Sequence, residues 1–129
     1  MKNAEGRCLL IVDDDAMLRD VIAGHFEDSG LRILQAGDGR QAYQLATSEG
    51  VDVVVSDIRM SKGDGVELLD RLRQRDKHQP PVILMTGYAD YSSSDLLKRG
   101  ARAVLQKPFS WNELARLVEN CLANEGGEK

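Results

Sequence analysis

Four short stretches of this chain end in residues that can do chemistry together. The apolar run Leu9-Leu10-Ile11-Val12 is followed by Asp13, Asp14 and Asp15, and Val54-Val55 leads to Ser56-Asp57. Met85 is followed by Thr86-Gly87, and Val104-Leu105 leads through Gln106 to Lys107-Pro108. Carboxylates gathered in one place repel one another, and they stay ionised together only around a cation. Carboxylate oxygens with open water positions suit Mg²⁺, which takes a few acidic ligands, several waters and a phosphate oxygen. A lysine ammonium and a threonine hydroxyl add the charge and the donor that a phosphoryl group needs. The inventory reads as Mg²⁺-dependent phosphoryl transfer with an aspartate as nucleophile. Each residue also has a plainer reading. Asp15 suits the N-cap of a following helix, Asp57 and Thr86 alone are ordinary loop residues, and a lone lysine is usually solvated. Recurrence at the same end of four apolar runs is what carries the functional reading.

Those residues need a scaffold that brings the run ends to one edge. Cys8 to Val12 reads as a strand buried on both faces. Leu18, Val21, Ile22 and Phe26 recur at i, i+3, i+4, i+8 as the inner stripe of a helix closed by Gly30. Leu31 to Gln35 is a more alternating strand, nearer an edge. Asp38-Gly39 opens a helix with Ala42, Leu45 and Ala46, which Gly50 ends. Val51 to Val55 is a second buried strand. After the loop Arg59 to Gly63, Asp64 and Glu67 form a capping pair for a helix carrying Val66, Leu69 and Leu72. Pro80-Pro81 precedes the strand Val82 to Met85, and a helix over 92–99 meets Gly100. Ala103 to Leu105 is a short fifth strand. Ser110 and Glu113 cap the last helix, whose Leu114, Leu117, Val118, Cys121 and Leu122 form the cleanest stripe in the chain. Strict alternation of strand and helix implies a doubly wound α/β domain with a five-stranded parallel sheet. Its functional crevice lies at the carboxyl ends of the strands.

Composition narrows the classes further. A chain of 129 residues, 42% hydrophobic and 29% charged, is large enough for one core and too apolar to be disordered. No apolar stretch approaches the roughly 20 residues of a spanning helix, and nothing near Met1 reads as a cleavable signal. The net charge of −4 argues against nucleic acid as a direct partner. Cys8 and Cys121 match no metal spacing and read as buried, reduced thiols of a cytoplasmic protein. The run Arg71, Arg73, Arg75 and Lys77 reads as a solvated helix face near a C-terminus. Trp111 reads as partly exposed, and His25 and His78 as isolated.

The chain resembles the response-regulator receiver domains of two-component signalling. The resemblance runs from about Arg7 to Leu122. It rests on Leu9-Leu10-Ile11-Val12-Asp13-Asp14-Asp15, Val54-Val55-Ser56-Asp57-Ile58-Arg59-Met60, Asp64-Gly65, Met85-Thr86-Gly87 and Lys107-Pro108-Phe109, in that order. It implies a flavodoxin-like (βα)5 fold with strand order 2-1-3-4-5 and a receiver domain over 1–123, while the polar residues 124–129 read as a flexible tail. It also implies that Asp57 is the phospho-acceptor and that Asp14 binds Mg²⁺ directly. Asp13 would act mainly through water, and the Arg59 carbonyl would complete the protein's share of the coordination. Thr86 and Lys107 would contact the phosphoryl group, with a cis peptide before Pro108. The implied donor is a phosphohistidine on a sensor histidine kinase or a phosphotransfer protein. The implied partner surface is the face of the fourth helix, fifth strand and fifth helix, for an output domain, a docking partner or a phosphorylation-dependent dimer. The protein is then a switch and not an enzyme.

Some positions depart from the family pattern. Val104 stands where the family usually has Tyr or Phe, so the aromatic half of its usual switch is missing. The loop Met60-Ser61-Lys62-Gly63-Asp64-Gly65 has serine and glycine where a proline and a methionine are common, which predicts a looser loop. Arg59 and Tyr88 lie two residues after Asp57 and Thr86, where their bulk is expected to screen a phosphoryl group from water. A second reading is a small Mg²⁺-dependent phosphatase of the haloacid-dehalogenase type, since Asp13-x-Asp15 resembles its first motif. That reading makes Asp13 the modified residue instead of Asp57. Nucleotide or flavin binding fits worst, because aspartates follow the first strand where a phosphate cradle is needed.

Overall fold

β1 (Cys8–Val12) is buried along its whole length, as an unbroken aliphatic run at the centre of a parallel sheet must be. The computed structural model describes residues 4–61, 63–87 and 91–123. The expectations for Tyr88 and for the tail from Asn124 lie outside them, as does Lys62. After β1 come α1 (Ala16–His25), β2 (Arg32–Ala36), α2 (Gly39–Ser48), β3 (Val53–Asp57) and α3 (Gly65–Arg75). β4 (Val82–Thr86), α4 (Ser93–Lys98), β5 (Ala103–Gln106) and α5 (Trp111–Ala123) complete the alternation. The sheet has the order β2-β1-β3-β4-β5, with every pairing parallel. This is the doubly wound arrangement implied above. The winding direction reverses between β1 and β3, so the crevice opens where those strands end.

Side-chain alternation divides the sheet into two cores. Leu9, Ile11, Val53, Val55, Ile83 and Met85 pack with Ile22 and Phe26 of the first helical segment and Leu114, Val118 and Leu122 of α5. Leu10, Val12, Val54, Val82 and Leu84 pack with Ala42 of α2, Leu69 and Leu72 of α3 and Leu96 of α4. Val104 of β5 is opposite Leu84 and joins this second core, against which Tyr91 also packs. Local signals set the helix starts. Asp15, Asp38 and Ser92 accept backbone N–H bonds as N-caps, Asp64 and Glu67 form a reciprocal capping box, and Ser110 Oγ accepts from Glu113 N at 3.0 Å.

Four expectations are corrected. Val21 is 49% exposed, because α1 meets the sheet through the i, i+4 row of Leu18, Ile22 and Phe26 and through Ala23 on its far flank, and Val21 lies on the opposite flank of that row. The helix also ends at His25, and Gly30 closes the turn that follows with a φ of +91°. Arg73 is no solvated cation. Its guanidinium donates to the Asp76 and Pro80 carbonyls, and its buried Nε has no hydrogen-bond partner among the described residues. Burial accordingly holds its pKa below the ordinary arginine value. Arg71 of the same run lies 4.0 Å over the Tyr43 ring. His25 is not isolated either: it stacks on Trp111 at 3.7 Å, and Phe109 meets Trp111 edge-on at 5.3 Å. Cys8 and Cys121 are buried free thiols.

Candidate functional site

The carboxyl ends of β1, β3, β4 and β5 converge. Asp13, one residue past β1, is 1% exposed. Its N–H donates to the Ala36 carbonyl at 3.1 Å, and its Oδ1 accepts from Asp15 N at 2.9 Å. Its Oδ2 is buried and has no hydrogen-bond partner among the described residues. Burial pushes the Asp13 carboxyl above the usual carboxylate range; the nearby Asp57 and Asp14 charges push the same way, against the Asp15 N–H and Lys107. Asp14 is exposed, and its Oδ2 accepts from Ser61 N at 3.2 Å. That bond ties the end of β1 to the loop after β3. The same loop is held at Gly63, whose carbonyl accepts from Gly39 N at 3.0 Å. The expectation of a looser loop therefore meets two tethers, at Ser61 and at Gly63.

Asp57 ends β3 with its side chain 14% exposed, and Lys107 Nζ lies 3.2 Å from its Oδ2. Lys107 reaches this point because its N–H donates to the Thr86 carbonyl at 2.8 Å, continuing the β4–β5 pairing past Gln106. The Lys107–Pro108 peptide is cis, as the resemblance implies. Thr86 is buried at the end of β4. A cavity of ≈ 380 Å³ opens between the ends of β3, β4 and β5, lined by Asp57, Ile58, Arg59, Thr86, Gly87, Lys107 and Pro108. Asp57, Thr86, Lys107 and Arg59 thus share one cavity. Asp13 stands close enough for its charge to be felt at Asp57 and Lys107, and Asp14 joins at the Ser61 loop.

Among the described residues no group of three or more His, Cys, Asp or Glu forms a ready metal cage. Mg²⁺ does not require one, since it keeps several waters and binds through one or two carboxylates plus phosphate oxygens. The bare, buried Asp13 Oδ2 is the feature that fits a cation, because a buried carboxylate oxygen without a donor is costly unless something positive meets it.

Gly65 belongs to the site although its type alone gave no role. Its N–H donates to the Ile58 carbonyl at 2.8 Å, and a Cβ there would lie 2.3 Å from the Asp57 carbonyl oxygen. Only a residue without a side chain lets α3 start against the peptide that carries Asp57. The signal was the Asp64-Gly65 pair, legible as a cap but not as a close approach.

Known proteins share this fold. The response regulator receiver domain family matches residues 9–119. The regulatory protein AtoC of Escherichia coli is 35% identical over 122 residues, a match covering 94% of this chain and 26% of AtoC. Curated relatives of this kind are longer, and the chain spans 24% to 56% of their length. Among solved structures, the receiver domain of the Francisella response regulator 1452 superposes with a TM-score of 0.84 at 32% identity, covering 92% of this chain and 98% of that one. CheY in the CheX–CheY–BeF3–Mg complex of Borrelia burgdorferi gives 0.82 at 27% identity, covering 90% of this chain and 89% of that one. No described helix is long and apolar enough to cross a membrane.

Proposed function

The chain belongs to the response regulator receiver domain family of two-component systems, and on that premise we propose that it accepts a phosphoryl group on Asp57. The observation that carries this reading is the Asp57 carboxylate at the mouth of the cavity with the Lys107 ammonium 3.2 Å away. An Asp57 oxygen attacks the phosphorus of a phosphohistidine on a sensor histidine kinase or a phosphotransfer protein. The new P–O bond forms as the P–N bond breaks, and the imidazole nitrogen leaves with the electron pair. Mg²⁺, held by Asp13, Asp14, Asp57 and the Arg59 carbonyl, would neutralise charge on the phosphoryl oxygens; the Borrelia relative was solved with Mg and BeF3. Lys107 pairs with the Asp57 carboxylate and then with a phosphoryl oxygen, while the Thr86 hydroxyl donates to another.

Asp13, the nucleophile of the phosphatase alternative, is 1% exposed with one oxygen already accepting from Asp15 N, which supports Asp57 instead. The output is a change of docking on the face of α4, β5 and α5, where Leu97 is 47% exposed. The occupant is an output domain, a separate partner or a second copy, in the cytoplasm. Incubation with acetyl phosphate, read by intact mass, tests the assignment. One phosphoryl group is expected on the wild type with Mg²⁺ and none on Asp57→Asn. Labelling that persists in Asp57→Asn and maps to Asp13 overturns it in favour of the phosphatase reading.

A further inference from the structure

Arg19 closes the first turn of α1, its own N–H donating to the Asp15 carbonyl at 3.0 Å. Its side chain turns back past the helix start. Nη1 donates to the Asp13 carbonyl at 2.7 Å, and Nε donates to Gln35 Oε1 at 3.1 Å. Gln35 in turn donates through Nε2 to Asp20 Oδ1 at 3.2 Å. The guanidinium passes beside Gly37, where a Cβ would lie 3.4 Å from Nη1. The Asp13 peptide is therefore held on both sides, its N–H by Ala36 of β2 and its carbonyl by Arg19. A planar fork bonded to two fixed acceptors leaves little rotational freedom to the residue it grips.

From this we infer that Arg19 is a positioning residue for the divalent cation: it locks the Asp13 backbone and so holds the bare, buried Oδ2 in place at the end of β1. The inference rests on the reading that Mg²⁺ binds at this site. Partners behind a ligating carboxylate set metal affinity, and their loss typically weakens it about 10–100-fold. The positive charge of Arg19 acts in the opposite sense by repelling a cation. The two effects separate in salt. At about 0.5 M KCl the screening length is roughly 4 Å, so the long-range repulsion fades while the hydrogen-bonded geometry persists.

The test is Mg²⁺ titration by calorimetry at about 0.5 M KCl, on folded variants checked by circular dichroism. Arg19→Ala is expected to raise the Mg²⁺ Kd on the order of tenfold. Arg19→Lys keeps the charge but bonds only one of the two acceptors, and it is expected to fall between Arg19→Ala and the wild type. Gln35→Ala frees the guanidinium at its second anchor and is expected to weaken binding less than Arg19→Ala. If Arg19→Ala does not fold, Arg19→Lys and Gln35→Ala decide the matter.

The rate of labelling by acetyl phosphate, followed against Mg²⁺ concentration, separates positioning from general damage. Its midpoint should rise in Arg19→Ala while the ceiling at saturating Mg²⁺ stays within about twofold of the wild type, because only affinity is changed. Unchanged Kd in the variants with normal binding by the wild type overturns the inference. So does a fallen ceiling with an unmoved midpoint. A wild type that binds no Mg²⁺ overturns the underlying reading itself, a result distinct from either of these.

Discussion

Asp57 and Lys107 hold each other at 3.2 Å while Arg59, two residues on, is exposed at the rim of the same cavity. A bulky cation at that rim obstructs the approach of water to a phosphoryl group on Asp57. Arg59→Ala is therefore expected to shorten the lifetime of phosphorylated Asp57 by a few-fold, on the order of 1 kcal/mol in barrier, measured as the decay of phosphorylated mass after acetyl phosphate is removed. Far from the site, burial pushes the Cys121 thiol from its ordinary 9.0 to about 11. An unfolded thiol ionises first, so the unfolded state loses its proton while the folded one keeps it. The contribution of this thiol to stability is complete below pH 9.0 and is lost as the pH rises toward about 11. The folded protein should accordingly resist thiol-reactive dyes at pH 8 and react once denaturant opens the core, whereas fast labelling of the native state would contradict the burial.

At the scale of elements, the start of α3 governs where Asp57 sits. Asp64 caps the helix and Gly65 allows its first turn to touch the Asp57 peptide, with no room for a Cβ at 2.3 Å from that carbonyl. Gly65→Ala must push α3 away from β3 or bend the end of β3. Either movement is expected to cost about 1–3 kcal/mol of stability and to slow Asp57 labelling even under conditions where the variant is folded. Denaturant melts beside labelling rates check both parts, and an unchanged rate would show that α3 alone gives way. Helix α1 teaches the complementary lesson. Its apolar residues predict a broad buried stripe, yet only Ile22 is fully buried within it and Val21 is half exposed. The 3.6 period marks which side of a helix faces inward, but the width of the contact depends on how the neighbouring layer is shaped.

For the whole molecule, the cation proposed to bind at the sheet edge would couple its binding to folding. A ligand bound only by the native state stabilises it by mass action, about 1.4 kcal/mol at ten times Kd. Mg²⁺ at that level should raise the Tm by roughly 4–6 °C, with the rise absent in an Asp13→Asn, Asp14→Asn double variant. Differential scanning calorimetry reads both. Much of this architecture was legible beforehand. The order of strands and helices, the caps at Asp15, Asp64 and Ser110, and the placement of Asp13, Asp57, Thr86 and Lys107 at strand ends all follow from patterns contained within short segments. Those patterns record backbone periodicity and local hydrogen bonding, which neighbours in sequence supply. What only the tertiary structure decided involves partners from different segments. It placed the Arg19 fork on the Asp13 carbonyl, bonded the Arg73 guanidinium to the Pro80 carbonyl, stacked His25 on Trp111 and gave Gly65 its contact with Asp57. Charge or size at one position says nothing of the distance to a group carried by another segment. That distance exists only once the sheet has set its register and the helices have packed on its faces.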